Sequence, residues 1–271
     1  MFHVLSVVGA RPNFVKIAPI AHALERKGGF RHTLVHTGQH YEAAMSDAFF
    51  EDLEIPAPQV HLGVGSASHG AQTGRMLEAI ERVIVDRMPD VLVVVGDVNS
   101  TLAGSLAAAK MGIPIAHVEA GLRSGDLSMP EEVNRLVVDR LADLLLTHSP
   151  EARDHLLREG VAPDRIRFVG NVMIDSLARW LDRARGRRSW EAYGLAEKGY
   201  ALATLHRPSN VDDPERLRQI LGVLAGIAER IPVVYPVHPR TRTRMVEFAP
   251  RAAPGLHLVG PAGYLDFLAL E

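Results

Sequence analysis

The sequence contains no cysteine, no long hydrophobic run and no marked excess of charge of either sign. The absence of cysteine from its 271 residues excludes disulfide bonds, thiolate metal sites and thiol nucleophiles, and is typical of a reducing compartment. The 30 basic and 32 acidic residues give a formal net charge of -2, so bulk charge does not favour nucleic acid or anionic lipid as a partner. Any anion that the protein binds must therefore be held by a local group of cations.

The apolar segments are too short to cross a bilayer. The first ten residues, MFHVLSVVGA, lack a basic leader and are followed at once by Arg11, so they predict a first strand and not a signal peptide. We therefore expect a cytoplasmic protein that does not bind a membrane. With 47% hydrophobic residues, the chain can bury a large core.

Apolar runs and helical patterns alternate along the chain, which predicts an α/β fold. Val91 to Val95 is a short apolar run, typical of a strand buried on both faces of a parallel sheet. A helix over 101–111 and a strand over 114–118 complete a βαβ unit. A later helix is predicted to end near Leu145, and the segment 144–148 is predicted to be the next element of the same layer. A basic, polar segment at 183–189 predicts a solvated linker, which divides the chain into domains 1–185 and 186–271.

Two carboxylates follow neighbouring predicted strands, at the edge where parallel sheets bind ligands. Asp97 follows the strand at 91–95, and Glu119 follows the strand at 114–118. Arg123, Glu131 and Arg135 come soon after them, so charge is concentrated beside an apolar core. The pattern predicts a functional site, although Asp97 could also serve only as a helix cap.

Two cations flank the start of the first predicted helix. Arg11 and Lys16 lie where a strand, Gly9 and Pro12 indicate a turn into a helix. Positive side chains beside the free N–H groups of a helix start form a local anion site, which predicts phosphate binding.

Seven motifs carry a resemblance to a known family. They are GARPNFVK, HTGQHY, GDVNSTLAG, HVEAGLRSGD, PEEVNR, TLHRPSN and YPVHPR. In this order and at these spacings, over nearly the whole chain, they resemble the non-hydrolysing UDP-N-acetylglucosamine 2-epimerases. The resemblance implies two Rossmann-like domains facing across a cleft, as in the GT-B class of nucleotide-sugar glycosyltransferases. It also implies a homodimer that uses no metal, no NAD and no other cofactor.

The resemblance further implies an isomerase that converts UDP-N-acetylglucosamine to UDP-N-acetylmannosamine, a precursor of cell-surface polysaccharide. Enzymes of this family are understood to eliminate UDP, leaving a 2-acetamidoglucal, and to add UDP back after C2 is reprotonated from the other face. Such a path needs general acid–base groups at C2 and cations that hold the departing diphosphate.

Site residues follow from the same motifs. The implied acid–base groups are Asp97 and Glu119 first, then Glu131, with His206 as a further proton donor to the leaving group. The implied contacts to the diphosphate and sugar are Arg11, Lys16, Arg135, His206 and Arg207, and His238 is a further candidate in a strand-end loop of the second domain.

Each assignment has a structural alternative. Glu119 could pair with Arg123, and Glu131 with Arg135 along one helix face. Arg11 and Lys16 could be surface charges, and His206 and His238 could be loop histidines without a role in the reaction. Four other histidines, which show no metal-ligand spacing, are predicted to be structural: His36, His117, His148 and His155.

The sequence departs from the family pattern at two motifs. Asn13-Phe14 replaces a common glutamate-containing pair, and Pro208-Ser209-Asn210 replaces an Arg-Glu-Asn type of loop. These changes favour a subgroup that acts on other UDP-2-acetamido sugars, including diacetamido-uronates. A GT-B glycosyltransferase and a catalytically silent nucleotide-sugar binder stay open as alternatives.

The family also implies more chain than is present here. Its members continue for roughly a hundred residues beyond the position of Glu271, including a stretch that holds UDP. We therefore expect the second domain to be truncated. This chain by itself is expected to bind nucleotide weakly and to turn over little, with the activity belonging to a longer parent.

Overall fold

The computed structural model describes residues 1–39, 49–205, 207–246 and 253–271. The strands are β1 Phe2–Val8, β2 Phe30–His36, β3 Val60–His61, β4 Val91–Val95, β5 Ile115–Ala120, β6 Leu144–Thr147, β7 Ile166–Phe168, β8 Ala201–Leu202, β9 Val233–Pro236 and β10 Leu256–Val259. The α-helices are α1 Arg11–Lys27, α2 His69–Arg87, α3 Asn99–Lys110, α4 Pro130–Leu141, α5 Pro150–Arg158, α6 Val172–Arg187, α7 Pro208–Val211, α8 Pro214–Ala228, α9 Pro239–Val246 and α10 Tyr264–Leu270.

The strands form two parallel sheets, one in each of two compact units, Met1–Arg179 and Trp180–Glu271. The first sheet has the order β3-β2-β1-β4-β5-β6-β7, and the second has the order β10-β9-β8. The predicted α/β class is confirmed. The division between the units falls inside α6, a few residues before 185, because most of the basic segment at 183–189 continues that helix.

The order of the first sheet reverses between β1 and β4, which creates a crevice at the carboxyl ends of these two strands. Asn13 joins the two ends. Its Oδ1 accepts the N–H groups of Gly9 and Ala10 at 3.1 and 3.2 Å, and its Nδ2 donates to the Val95 carbonyl at 2.9 Å. The amide must therefore accept and donate at once, which an ionised carboxylate cannot do.

The core of the first unit lies between the sheet and the helices packed on it. Leu92 and Val94 of β4 are buried, as the apolar run predicted, and cluster with Ile80 of α2 and Ala107 of α3. This packing stabilises the central strands through burial of apolar surface. It also fixes the strand ends from which the polar residues emerge.

The predicted end of α4 near Leu145 is wrong. The helix ends at Leu141, and Leu145 pairs in register with His117 of β5 as part of β6. The apolar residues keep helical spacing past Leu141, but Ala142 adopts an extended backbone and Leu145 is fully buried in the sheet. Tertiary burial therefore decides the boundary where local periodicity does not.

The stability of the first unit is expected to fall as the pH drops from about 6.5 to about 4, because of His32 on β2. Burial, with a smaller contribution from nearby His3, lowers the pKa of His32 from 6.5 to about 4. In this range the unfolded chain takes up a proton that the folded protein does not, so stability present above pH 6.5 is lost on acidification. The upper limit for this site is ~3 kcal/mol.

Urea unfolding of the parent and of His32→Gln at pH 7.5 and pH 4.5 measures the effect. Glutamine keeps a polar group near Ser6 Oγ, which lies 2.9 Å from His32 Nε2, but does not titrate. The variant is expected to lose less stability than the parent between the two pH values. An equal loss in both proteins contradicts the assignment.

Candidate active site

The two predicted carboxylates lie at the carboxyl ends of adjacent strands. Asp97 follows Gly96 at the end of β4, and Glu119 is the penultimate residue of β5. The strands are paired in parallel, with Val95 opposite Val118. The structure therefore brings Asp97 and Glu119 to one edge of the sheet, beside the β1–β4 crevice.

Asp97 is paired with Arg135 of α4. Arg135 Nε and Nη2 lie 2.9 and 2.5 Å from Asp97 Oδ2. The arginine side chain is 11% exposed and that of Asp97 is 21% exposed, so solvent reaches the carboxylate more than the cation behind it. The structure therefore places these two predicted residues in direct contact.

Glu132, which the sequence did not single out, holds Arg135 in place. Its Oε2 accepts from Arg135 Nη1 at 2.8 Å, and its two oxygens accept the N–H groups of Ser124 and Gly125 at 3.0 Å each. Burial alone would raise the pKa of Glu132, but these hydrogen bonds lower it to about 2. The suggested pairing of Glu131 with Arg135 is wrong, because Glu132 occupies that position.

Glu119 forms an ion pair with Lys16 of α1. Its backbone has φ +72°, a left-handed conformation that is uncommon for a residue other than glycine, and it lies in a bulge between Val118 and Ala120. The suggested pairing of Glu119 with Arg123 is wrong. Arg123 binds Asp139 and Glu159 instead.

Lys16 also lies against the turn that carries Asp97. Its Nζ is 2.8 Å from the position that a Cβ on Gly96 would occupy, and Gly96 itself has φ +68°. The lysine side chain is 8% exposed, so it is not a surface charge. The buried ammonium group of Lys16 therefore contacts the ends of both β4 and β5. We call the group formed by Asp97, Glu119, Lys16 and Arg135 the carboxylate cluster.

Arg11 opens α1 and is half-buried. Within the described ranges it forms no ion pair, unlike Lys16. Its position at the start of the helix is that of the predicted anion site. The N–H groups of Gly9 and Ala10 donate to Asn13 Oδ1 and that of Asn13 donates to the Ala10 carbonyl, so an anion there would be held chiefly by the cation.

The structure does not connect the remaining predicted residues to the carboxylate cluster. Glu131 is half-buried in the first turn of α4. Arg207 and His238 are exposed and belong to the second unit, after β8 and β9. His206 lies outside the described residues.

Two asparagines that the sequence did not single out complete the surroundings of Asp97. Asn134 of α4 donates to the Asp97 carbonyl at 2.8 Å and to Asn99 Oδ1 at 3.3 Å. Both side chains are buried, so they fix the backbone of Asp97 against α3 and α4. The sequence signals for this role were the motifs that contain them, GDVNSTLAG for Asn99 and PEEVNR for Asn134.

Neither a metal centre nor a membrane span was found in the described ranges. No group of three or more His, Asp or Glu side chains there is arranged to hold a metal ion. No helix there is both long and apolar enough to span a membrane.

A doubly wound parallel sheet with paired carboxylates and cations at its switch point defines an α/β protein of the Rossmann-like class. Residues 22–271 match the family model described as UDP-N-acetylglucosamine 2-epimerase. The chain belongs to this family of isomerases, as the seven motifs indicated.

The chain is similar to known proteins over nearly its whole length. A UDP-N-acetylglucosamine 2-epimerase homolog of Methanococcus maripaludis is 42% identical over 99% of this chain and 75% of its own length. A UDP-2,3-diacetamido-2,3-dideoxy-D-glucuronate 2-epimerase of Pseudomonas aeruginosa is also 42% identical, over 98% of this chain and 75% of its own length. The crystal structure of Methanocaldococcus jannaschii UDP-GlcNAc 2-epimerase in complex with UDP-GlcNAc and UDP is 40% identical and has a TM-score of 0.90, over 99% of this chain and 76% of that one.

Proposed function

We propose that the protein inverts C2 of a UDP-2-acetamido sugar without hydrolysing it, with UDP-N-acetylglucosamine as substrate and UDP-N-acetylmannosamine as product. The observation that carries the proposal is the carboxylate cluster. Two partly exposed carboxylates and two shielded cations meet at the crevice where a sheet of this order binds its ligand.

The reaction proceeds by elimination and re-addition. A carboxylate takes the proton from C2, the C1–C2 double bond forms, and the C1–O bond breaks so that UDP leaves with its electron pair. UDP then attacks C1 of the 2-acetamidoglucal while a proton is returned to the other face of C2. Asp97 and Glu119 are the acid–base groups, because they lie at the ends of two adjacent strands and their side chains are 21% and 20% exposed.

Cations are required because the departing diphosphate carries negative charge. Arg11, Lys16 and Arg135 supply the compensating positive charge in the first unit, with Arg11 placed at the start of a helix. Lys16 is shared with Glu119, so it links the acid–base group to the leaving group. The second unit is proposed to bind the nucleotide, with Arg207, His206 and His238 as contacts.

The relatives support this assignment. The solved structure from Methanocaldococcus jannaschii, which is similar over nearly the whole chain, is a complex with UDP-GlcNAc and UDP. We further propose that the protein works in the cytoplasm as a homodimer, without a cofactor, and supplies precursors of cell-surface polysaccharide.

A diacetamido-uronate is the second candidate substrate. The Pseudomonas aeruginosa 2-epimerase named for such a sugar is as similar to this chain, at 42% identity, as the Methanococcus maripaludis homolog. The chemistry at C2 is the same for both sugars, so the carboxylate cluster serves either one. Only the groups that contact C3 and C6 of the sugar would differ.

Incubation with each UDP-sugar in heavy water, followed by NMR at C2, tests the proposal. We expect deuterium at C2 together with the epimer, and a faster reaction with the true substrate than with the other sugar. Release of free N-acetylmannosamine would indicate a hydrolysing enzyme instead. Retained binding without exchange would indicate a silent binder, and transfer of the sugar to an acceptor a glycosyltransferase.

A further inference from the structure

A buried ion pair lies directly beneath the carboxylate cluster. His117 of β5 and Asp139 of α4 have side chains that are each 1% exposed, and His117 Nδ1 lies 2.7 Å from Asp139 Oδ1. The other ring nitrogen, Nε2, lies 2.9 Å from the carbonyl oxygen of Gly96. The histidine thus bridges the helix that carries Arg135 to the turn that carries Asp97.

The partners of His117 determine its protonation. A carbonyl oxygen and a carboxylate oxygen can only accept, so each ring nitrogen must carry a proton. Burial alone would raise the pKa of Asp139, but the hydrogen bond and charge of His117, together with Arg123, lower it. The pair is therefore an imidazolium and a carboxylate.

Asp139 also binds the end of β5. Its Oδ2 accepts from the Gly121 N–H at 3.0 Å and from Arg123 Nη1 at 2.7 Å. Arg123 in turn donates to both oxygens of Glu159, at 2.7 and 2.6 Å. Two cations and two carboxylates balance one another, so the group is neutral overall, and of the four side chains only Glu159 is exposed, at 39%.

The arrangement fixes the residues on either side of the reacting groups. Gly96, whose carbonyl His117 binds, directly precedes Asp97, and Gly121, whose N–H Asp139 binds, lies two residues after Glu119. Glu132, Arg135 and Asp139 are three and four residues apart on α4, so one face of this helix contacts both strand ends.

We infer that His117 and Asp139 are positioning residues, which set the distance between Asp97 and Glu119 by tying the ends of β4 and β5 to each other and to α4. The inference rests on the proposed function for the roles of Asp97 and Glu119. A pair of acid–base groups that must serve opposite faces of one carbon needs a fixed separation, and a misplacement of about 1 Å can cost a hundredfold in rate.

The test compares His117→Leu with His117→Gln in the 271-residue chain. Both variants lose the imidazolium, but glutamine can still donate to the Gly96 carbonyl and leucine cannot. We expect the rate of C2 exchange at saturating sugar to fall about tenfold or more in His117→Leu, with KM nearly unchanged, and to be largely retained in His117→Gln. Thermal unfolding of both variants measures the loss of stability separately.

A merely structural role gives a different result. It lowers stability in both variants and moves their rates together, so equal rates in the two variants overturn the inference. If His117→Leu does not fold, His117→Asn replaces it, because asparagine keeps the contact to Asp139 and loses the contact to Gly96. Equal rates in the asparagine and glutamine variants then overturn the inference.

Two NMR measurements do not depend on turnover. The His117 ring is expected to show two N–H protons, one on each nitrogen, and a single one overturns the hydrogen bonding argued above. The amide resonances of Asp97 and Gly121 are expected to shift more in the leucine or asparagine variant than in the glutamine variant. If the unmutated chain, in molar excess over the sugar so that a single exchange per molecule is detected, exchanges no hydrogen at C2, the proposed function fails, while these amide shifts still decide the positioning role.

Discussion

Replacing Asp97 with asparagine is expected to lower the rate of deuterium incorporation at C2 by about a hundredfold or more. Asparagine keeps the shape of the side chain, and its Oδ1 can still accept from Arg135, whose Nε and Nη2 lie 2.9 and 2.5 Å from Asp97 Oδ2. The amide cannot take up a proton, so acid–base catalysis at this position is lost. NMR with the protein in molar excess over the sugar detects even one event per molecule.

Asp143→Asn is the matched control for this experiment. Asp143 Oδ2 accepts from the Ile115 N–H at 2.9 Å, at the amino end of β5 and therefore at the opposite edge of the sheet. We expect this variant to exchange at the parent rate and both variants to retain the parent affinity for UDP, measured by calorimetry. A rate within about threefold of the parent for Asp97→Asn would remove Asp97 from the acid–base step.

Gly121→Ala is expected to destabilise the first unit by about 3 kcal/mol or more. Gly121 has φ +81°, and a Cβ there would lie 2.3 Å from the carbonyl oxygen of Ala152 and 3.1 Å from Leu156 Cδ1. The contact with Ala152 is to the backbone of α5, which cannot move without unpacking the helix. Urea unfolding monitored by circular dichroism measures the loss.

Gly125→Ala separates the effect of backbone strain from that of the steric clash with Ala152. Gly125 also has a positive φ, +74°, but a Cβ there meets no atom within 4 Å. Its loss of stability is expected to reflect backbone strain alone, about 1 kcal/mol. If both alanine variants lose the same stability, the close approach of β5 to α5 is not what requires glycine at 121.

Much of the fold could be predicted because its signals are local. An apolar run followed by glycine and an acidic residue is enough to place β4, and Pro12 with the following helical pattern is enough to place α1. The end of α4 could not be predicted in this way. Leu145 continues the helical spacing and also falls in the predicted element at 144–148, and its pairing with His117 in the folded sheet decides for β6.

The sequence predicted which residues lie at the candidate site, but it did not predict which side chains pair with one another there. Strand ends placed Asp97 and Glu119 correctly, but the partner of Glu119 is Lys16, more than a hundred residues away in the sequence, and not the nearby Arg123. Partners so distant in sequence meet only after the sheet has formed, so helical spacing cannot identify them. Asp139 could not be identified for the same reason, because its partners His117 and Arg123 lie outside its helix.

The left-handed backbone of Glu119 has a consequence for engineering. At such a position glycine relieves strain, so a library selected only for its melting temperature will tend to replace the acid and report success. Selection of a more thermostable variant therefore requires a screen that measures product formation as well as heat resistance, above all when this position is varied.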